Sequence, residues 1–79
     1  MPDYGAIVEF IVRRLVNRPD EVKVTTERTG SGAAMVTIST ARDDIGRVIG
    51  KHGATINAIR LVAKAASVKP GEKVDVDLS

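Results

Sequence analysis

The segment Ile45-Gly46-Arg47-Val48-Ile49-Gly50-Lys51-His52-Gly53-Ala54-Thr55-Ile56 carries apolar residues at helical spacing and interrupts them with glycines on either side of two basic residues. One continuous helix through it is disfavoured, because each interior glycine costs about 1 kcal/mol relative to alanine. Two helices meeting at a tight loop remain, and glycine is the residue that lets backbone turn with positive φ or approach a ligand closely. Lys51 and His52, held between Gly50 and Gly53, therefore describe an exposed, basic loop with bare backbone.

The rest of the chain supplies the frame for those helices. Behind a Pro2-Asp3 cap, Tyr4, Ile7, Val8, Ile11 and Leu15 follow the rhythm of an amphipathic helix, with Phe10, Val12 and Val16 off the main stripe. That helix is expected to fail at Asn17-Arg18-Pro19-Asp20, where proline removes a donor and restricts the residue before it. Val22 to Glu27 and Ala34 to Ser39 alternate apolar and polar residues around Thr29-Gly30-Ser31-Gly32, the pattern of a hairpin.

A short helix is expected from Asp43 and Asp44, acids suited to a helix N-terminus, to Val48 or Ile49. Ala54 to Ser67 is alanine-rich and apolar around most of its circumference, so this helix is expected to be largely buried. Pro70-Gly71 ends it, and Lys73 to Leu78 alternates as a last strand. A hairpin followed by a helical crossover predicts a three-stranded mixed sheet, since strands joined through helices run parallel with a right-handed connection. The fold class is therefore α+β, a two-layer sandwich in the order α-β-β-α-α-β, with helices covering one face of the sheet. Val22, Val24, Val36, Ile38, Val74 and Val76 would point toward the helices.

With 79 residues, the chain is read as one domain spanning 1–79 with a modest core. No 20-residue apolar run could span a bilayer, and the first residues lack the features of a secretory signal, so a cytoplasmic protein without membrane partners is expected. The absence of cysteine excludes disulfides, thiolate nucleophiles and the usual structural zinc sites. A net charge of +2 identifies no partner by itself. The basicity is local: Arg42, Arg47, Lys51, Arg60 and Lys64 face only Asp43 and Asp44 between Ala41 and Lys64.

A glycine loop beside a helix N-terminus attracts anions through fixed N–H donors and the helix dipole, and a phosphodiester suits such a site. Lys51 would add an ammonium and His52 a ring donor. Gly46 to His52 only superficially resembles a nucleotide-binding P-loop: the first glycine is one residue too close, and His52 stands where a magnesium-binding hydroxyl is required. The sole histidine has no nucleophile and orienting acid in any sequence constellation, so a binding module is expected, with no catalytic residue and no cofactor.

Ile45-Gly46-x-x-Ile49-Gly50-x-x-Gly53-x-x-Ile56 resembles the signature of the KH domain, and the element order resembles its type II arrangement over essentially the whole chain. The leading helix ending in Asn17-Arg18-Pro19-Asp20-Glu21-Val22, the Asp43-Asp44-Ile45-Gly46 segment and the Thr55-Ile56-x-Ala58-Ile59-Arg60 segment are similar to those of small stand-alone bacterial KH proteins. The resemblance implies a single-stranded RNA ligand, in an RNA chaperone or post-transcriptional regulator. Its GXXG loop clamps the backbone of about four nucleotides and leaves the bases in an apolar groove. By position, Gly50 and Gly53 would give close approach, Lys51 and His52 would meet phosphates, and Ile45, Val48 and Ile49 would floor the groove. It also implies a homodimer, and association with a larger bacterial RNA-binding protein that carries its own KH domain.

Other features stay open between two readings. Asn57, Arg60 and Lys64 share a helix face that could extend a phosphate track or could be a solvated polar stripe, and Arg47 poses the same choice. Gly46 is read as a small residue that lets two helices pack closely. Asp75 and Asp77 are read as a solvated strand face. A protein adaptor in which RNA is secondary is the alternative function, with Phe10, Val12 and Val16 supplying part of its interface.

Overall fold

A computed structural model describes residues 3–79; Pro2 of the expected cap lies outside them. Helix α1 runs from Tyr4 to Leu15, and the Asp3 carboxylate caps it by accepting from the Ala6 N–H at 3.0 Å. After a 3-10 turn at Pro19–Glu21 come strands β1 (Lys23–Arg28) and β2 (Ala33–Ser39). A second 3-10 turn, Arg42–Asp44, leads into α2 (Ile45–Ile49), followed by the loop, α3 (Ala54–Val68) and β3 (Lys73–Leu78).

The sheet has the order β1-β2-β3, with β1 antiparallel and β3 parallel to β2. Its register places Val24 opposite Ile38, and Val36 between Thr26 and Val76. Alternation in β2 and β3 sends Ala34, Val36, Ile38, Val74 and Val76 into the core, with Val24 half-buried. Met35, Asp75 and Asp77 emerge on the open face, so these two acids are solvated as expected. The mixed three-stranded sheet and the helices packed on it match the sequence reading.

Two helices are rotated from the expected orientation. In α1 the buried line is Tyr4, Val8 and Val12, while Leu15 is exposed. Val12, expected off the stripe, therefore belongs to the core and offers no interface; Phe10 is exposed, with the Arg14 guanidinium 3.6 Å from its ring centroid. The rotation is fixed at the helix start. The buried Tyr4 hydroxyl donates to Glu72 Oε1 at 2.6 Å, and Arg28 donates to the other Glu72 oxygen at 2.7 Å.

Helix α3 is not largely buried. Ile56, Ile59, Ala63 and Ser67 face inward, whereas Leu61 (69% exposed), Val62 and Val68 lie outside. In two layers, three strands offer α3 only one surface, and its far side has no layer to meet.

Candidate functional site

The loop between α2 and α3 bends through three positive-φ residues in four: Gly50 (φ 76°, ψ 172°), His52 (φ 56°, ψ 27°) and Gly53 (φ 76°, ψ 12°). Gly50 is required twice over. Its backbone region is essentially restricted to glycine, and an added Cβ would lie 2.8 Å from the Thr55 nitrogen, besides striking the Thr55 side chain. Gly53 needs its conformational freedom but has room, since Asn57 Nδ2 would be 3.7 Å from an added Cβ. His52 occupies the left-handed region, where histidine is among the better tolerated side chains.

Gly50 N–H closes α2 onto the Gly46 carbonyl at 2.9 Å, and Gly53 N–H bonds back to Gly50 at 3.1 Å. Gly53 is also the N-cap of α3, and no side chain caps that helix. The Ala54 N–H is taken by the Lys51 carbonyl, and the rest of the first turn of this 15-residue helix has no capping side chain, beside exposed Lys51 and His52. A negatively charged oxygen meets a helix dipole, the Lys51 ammonium and the His52 ring there.

Helix α2 does not gather all its expected residues on one face. Val48 is wholly buried, so it supports the site from below and cannot touch a ligand. At about 100° per residue, Ile45 and Ile49 lie together to one side of the inward line of Asp44 and Val48, and Arg47 lies to the other. Both isoleucines are more than a third exposed, an apolar strip leading to the loop.

Gly46 points outward, and an added Cβ there would meet nothing within 4 Å. The close-packing reading of Gly46 is thus overturned; this glycine bares backbone between Ile45 and Arg47. Arg60 turns away from the loop. Its Nε donates to the Val76 carbonyl on β3 at 2.9 Å and its Nη1 to Asn57 Oδ1 at 3.0 Å, so the guanidinium is held by the sheet edge. Asn57 and Lys64 are exposed along the same helix.

Asp44 was legible only as a helix-start acid, but its side chain is 1% exposed. Its two carboxylate oxygens accept from the backbone N–H groups of Asn17 and Arg18, both at 3.0 Å, and Arg47 Nε lies 3.6 Å away. The chain leaving α1 is thereby fastened to the start of α2. A lone acid pair before a helix gives no signal of donors 26 and 27 positions upstream.

Two hollows lie elsewhere. One of about 570 Å³ is formed by the end of α3 and the start of β3. The other, about 340 Å³, is an apolar groove between α1 and α3 lined by Ile11, Leu15, Ala54, Thr55, Ala58, Ile59 and Val62. Among the described residues, no group of histidines and acids could hold a metal ion, and no helix is long and apolar enough to cross a membrane.

Residues 6–78 match the family model described as KhpA/KhpB, KH domain. The chain is 43% identical over 72 residues to the RNA-binding protein KhpA of Clostridium acetobutylicum, covering 91% of this chain and 95% of that protein. It is 39% identical over 72 residues to the RNA-binding protein KhpA of Clostridium perfringens, with the same coverage. A crystal structure of Aquifex aeolicus Era superimposes with a TM-score of 0.64 at 17% identity. That match covers 95% of this chain and 29% of Era, and it speaks to the fold alone. Neither the family description nor the names of the two relatives denote an enzyme.

Proposed function

Because the chain belongs to the KhpA/KhpB KH-domain family, we propose that it is a cytoplasmic bacterial RNA chaperone that grips single-stranded RNA at the loop Gly50-Lys51-His52-Gly53. The observation that carries this reading is the loop's backbone. Three positive-φ residues turn it outward at the uncapped start of α3, where phosphate oxygens find donors without a side chain in the way. Lys51 adds charge and His52 a ring donor, and Ile45 and Ile49 give bases an apolar strip alongside. Val48 is left to the core, and Arg60 to the β3 edge. The relatives' names point the same way, toward RNA.

A domain touching about four nucleotides binds weakly, and a second copy raises the effective concentration of sites. The groove between α1 and α3, with Leu15 and Val62 exposed in its lining, favours pairing through that face, with a second copy or with the KH domain of KhpB. Gly50 to Gly53 are not among the groove's lining residues, although Ala54 and Thr55, which follow them, are.

Fluorescence anisotropy with short single-stranded RNAs tests the loop. Lys51→Asp with His52→Asp keeps both loop glycines and puts at position 52 a residue that tolerates the left-handed region. RNA affinity is expected to fall by at least about tenfold while the melting curve is kept. Binding equal to that of the wild type would remove the loop from the interface.

A further inference from the structure

Arg47 stands apart from the apolar strip of α2, and its orientation is not free. With the Asn17 amide turned so that its oxygen faces the guanidinium, that oxygen accepts from Arg47 Nε at 3.2 Å and Nη2 at 3.0 Å. Asp44 Oδ1 lies 3.6 Å from the same Nε. The Asp44 carboxylate is already shared with the N–H groups of Asn17 and Arg18, so it fixes one edge of the guanidinium without taking up all its charge. A guanidinium has five N–H donors. The two on Nη1 engage none of the described residues, and the side chain is 54% exposed.

Neighbouring arginines differ. Arg13 gives its Nε to the Pro19 carbonyl at 3.3 Å and pairs with Glu9, Arg18 pairs with Glu21, and Arg60 is bound to a strand carbonyl. Arg47 is the one of these four that stands one turn before Lys51, its Nε against Asn17 and Asp44 and its Nη1 engaged by neither. Planar two-point recognition of phosphate is what an arginine fork does better than lysine. Ordering a long side chain in advance removes part of the cost of binding.

We propose that Arg47 is a second phosphate-binding position, prepared for its ligand by Asn17 and Asp44 as positioning residues. This rests on the RNA-binding reading above and extends the backbone contact from the loop along α2 toward the end of α1. Asp44 is unsuited to the test because its removal also loosens the fold, whereas Asn17 is an exposed residue whose side chain can be cut back.

Anisotropy titrations at several salt concentrations, with melting curves alongside, decide the matter. Arg47→Ala is expected to weaken RNA binding about tenfold and to lower the salt slope by about one. Asn17→Ala should weaken it about threefold, through loss of ordering alone. The double variant should bind no worse than Arg47→Ala. Arg47→Lys, which keeps the charge, should still bind more weakly than the wild type.

Additive losses in the double variant would overturn the role of Asn17. Unchanged affinity and slope in Arg47→Ala would overturn the site, and wild-type affinity in Arg47→Lys would reduce it to a point charge. If Lys51→Asp with His52→Asp binds as the wild type does while Arg47→Ala is still impaired, the loop reading fails and this site stands.

Discussion

The two ends of the sheet each bury a carboxylate, and they use it differently. At the end where β1 reaches Arg28 and β3 begins, Glu72 takes the Tyr4 hydroxyl on one oxygen and Arg28 on the other. Helix, hairpin and last strand are stapled by groups turned inward. At the opposite end, where β2 leaves at Ser39 toward α2, Asp44 is fed by two backbone donors and shares its remaining charge with exposed Arg47. Past Arg47 stands a loop with Lys51 and His52 exposed. One carboxylate closes the fold; the other holds a surface open in a fixed shape. The difference separates a contact that serves stability alone from one that also fixes an exposed arginine.

The hardest way to break this contrast is at Asp44. Asp44→Ala leaves two donors at the end of α1 without their acceptor, and a loss of about 3 kcal/mol is expected by denaturant unfolding. A loss under about 1 kcal/mol would mean that water replaces the carboxylate and that the fastening is weak.

The glycines sharpen the contrast at smaller scale. Gly50→Ala meets Thr55 and a forbidden backbone region, and is expected to cost about 2 kcal/mol. Gly46→Ala meets nothing, and should stabilise by about 0.5–1 kcal/mol through the unfolded chain. Equal melting temperatures for the two variants would contradict the geometry of the turn.

The smallest effect near neutral pH belongs to the other end. The Tyr4 hydroxyl, and after it Arg28, holds the Glu72 carboxyl below its ordinary value of 4.5, against the opposing effect of burial. Burial first, and then the Glu72 carboxylate, pushes the Tyr4 hydroxyl above its ordinary 10.0. A depressed carboxyl stabilises the fold above its unfolded value, and that contribution disappears as the pH falls through the folded one. Wild type should therefore lose stability below about pH 4.5 more steeply than Glu72→Gln, whose curve is expected to be flatter. Parallel acid curves would show that Glu72 gives no net support.

Element order was legible in the sequence because its signals are local. Proline at 19, glycines at 50 and 53, and alternation in the strands each act within a few residues. The loop was legible for the same reason, as conformational need and charge coincide in four consecutive positions. How each helix is turned about its own axis was not. Val48 and Gly46 were misjudged together, and Arg60 was left open, because one face of a helix differs from the next by a rotation that only tertiary contacts set. Val12 was assigned to the wrong side of α1 for that reason, its rotation being set by Tyr4 reaching Glu72 across 68 positions. Likewise, the acid at 44 and its donors at 17 and 18 are joined only once the chain has folded.

The loop lies inside the single crossover that joins parallel strands β2 and β3, and the last strand also receives Arg60 from α3. Parallel pairing closes a long stretch of chain before any ladder bond forms, so it comes late in folding. Until residues 73–78 dock, Val36 and Ile38 lack their partners on β3 and Arg60 lacks its acceptor. The frame of the loop is therefore complete only when the last strand is in place. During synthesis, a ribosome still holding β3 in its tunnel would present a chain that contains the loop without the strand that completes the sheet behind it.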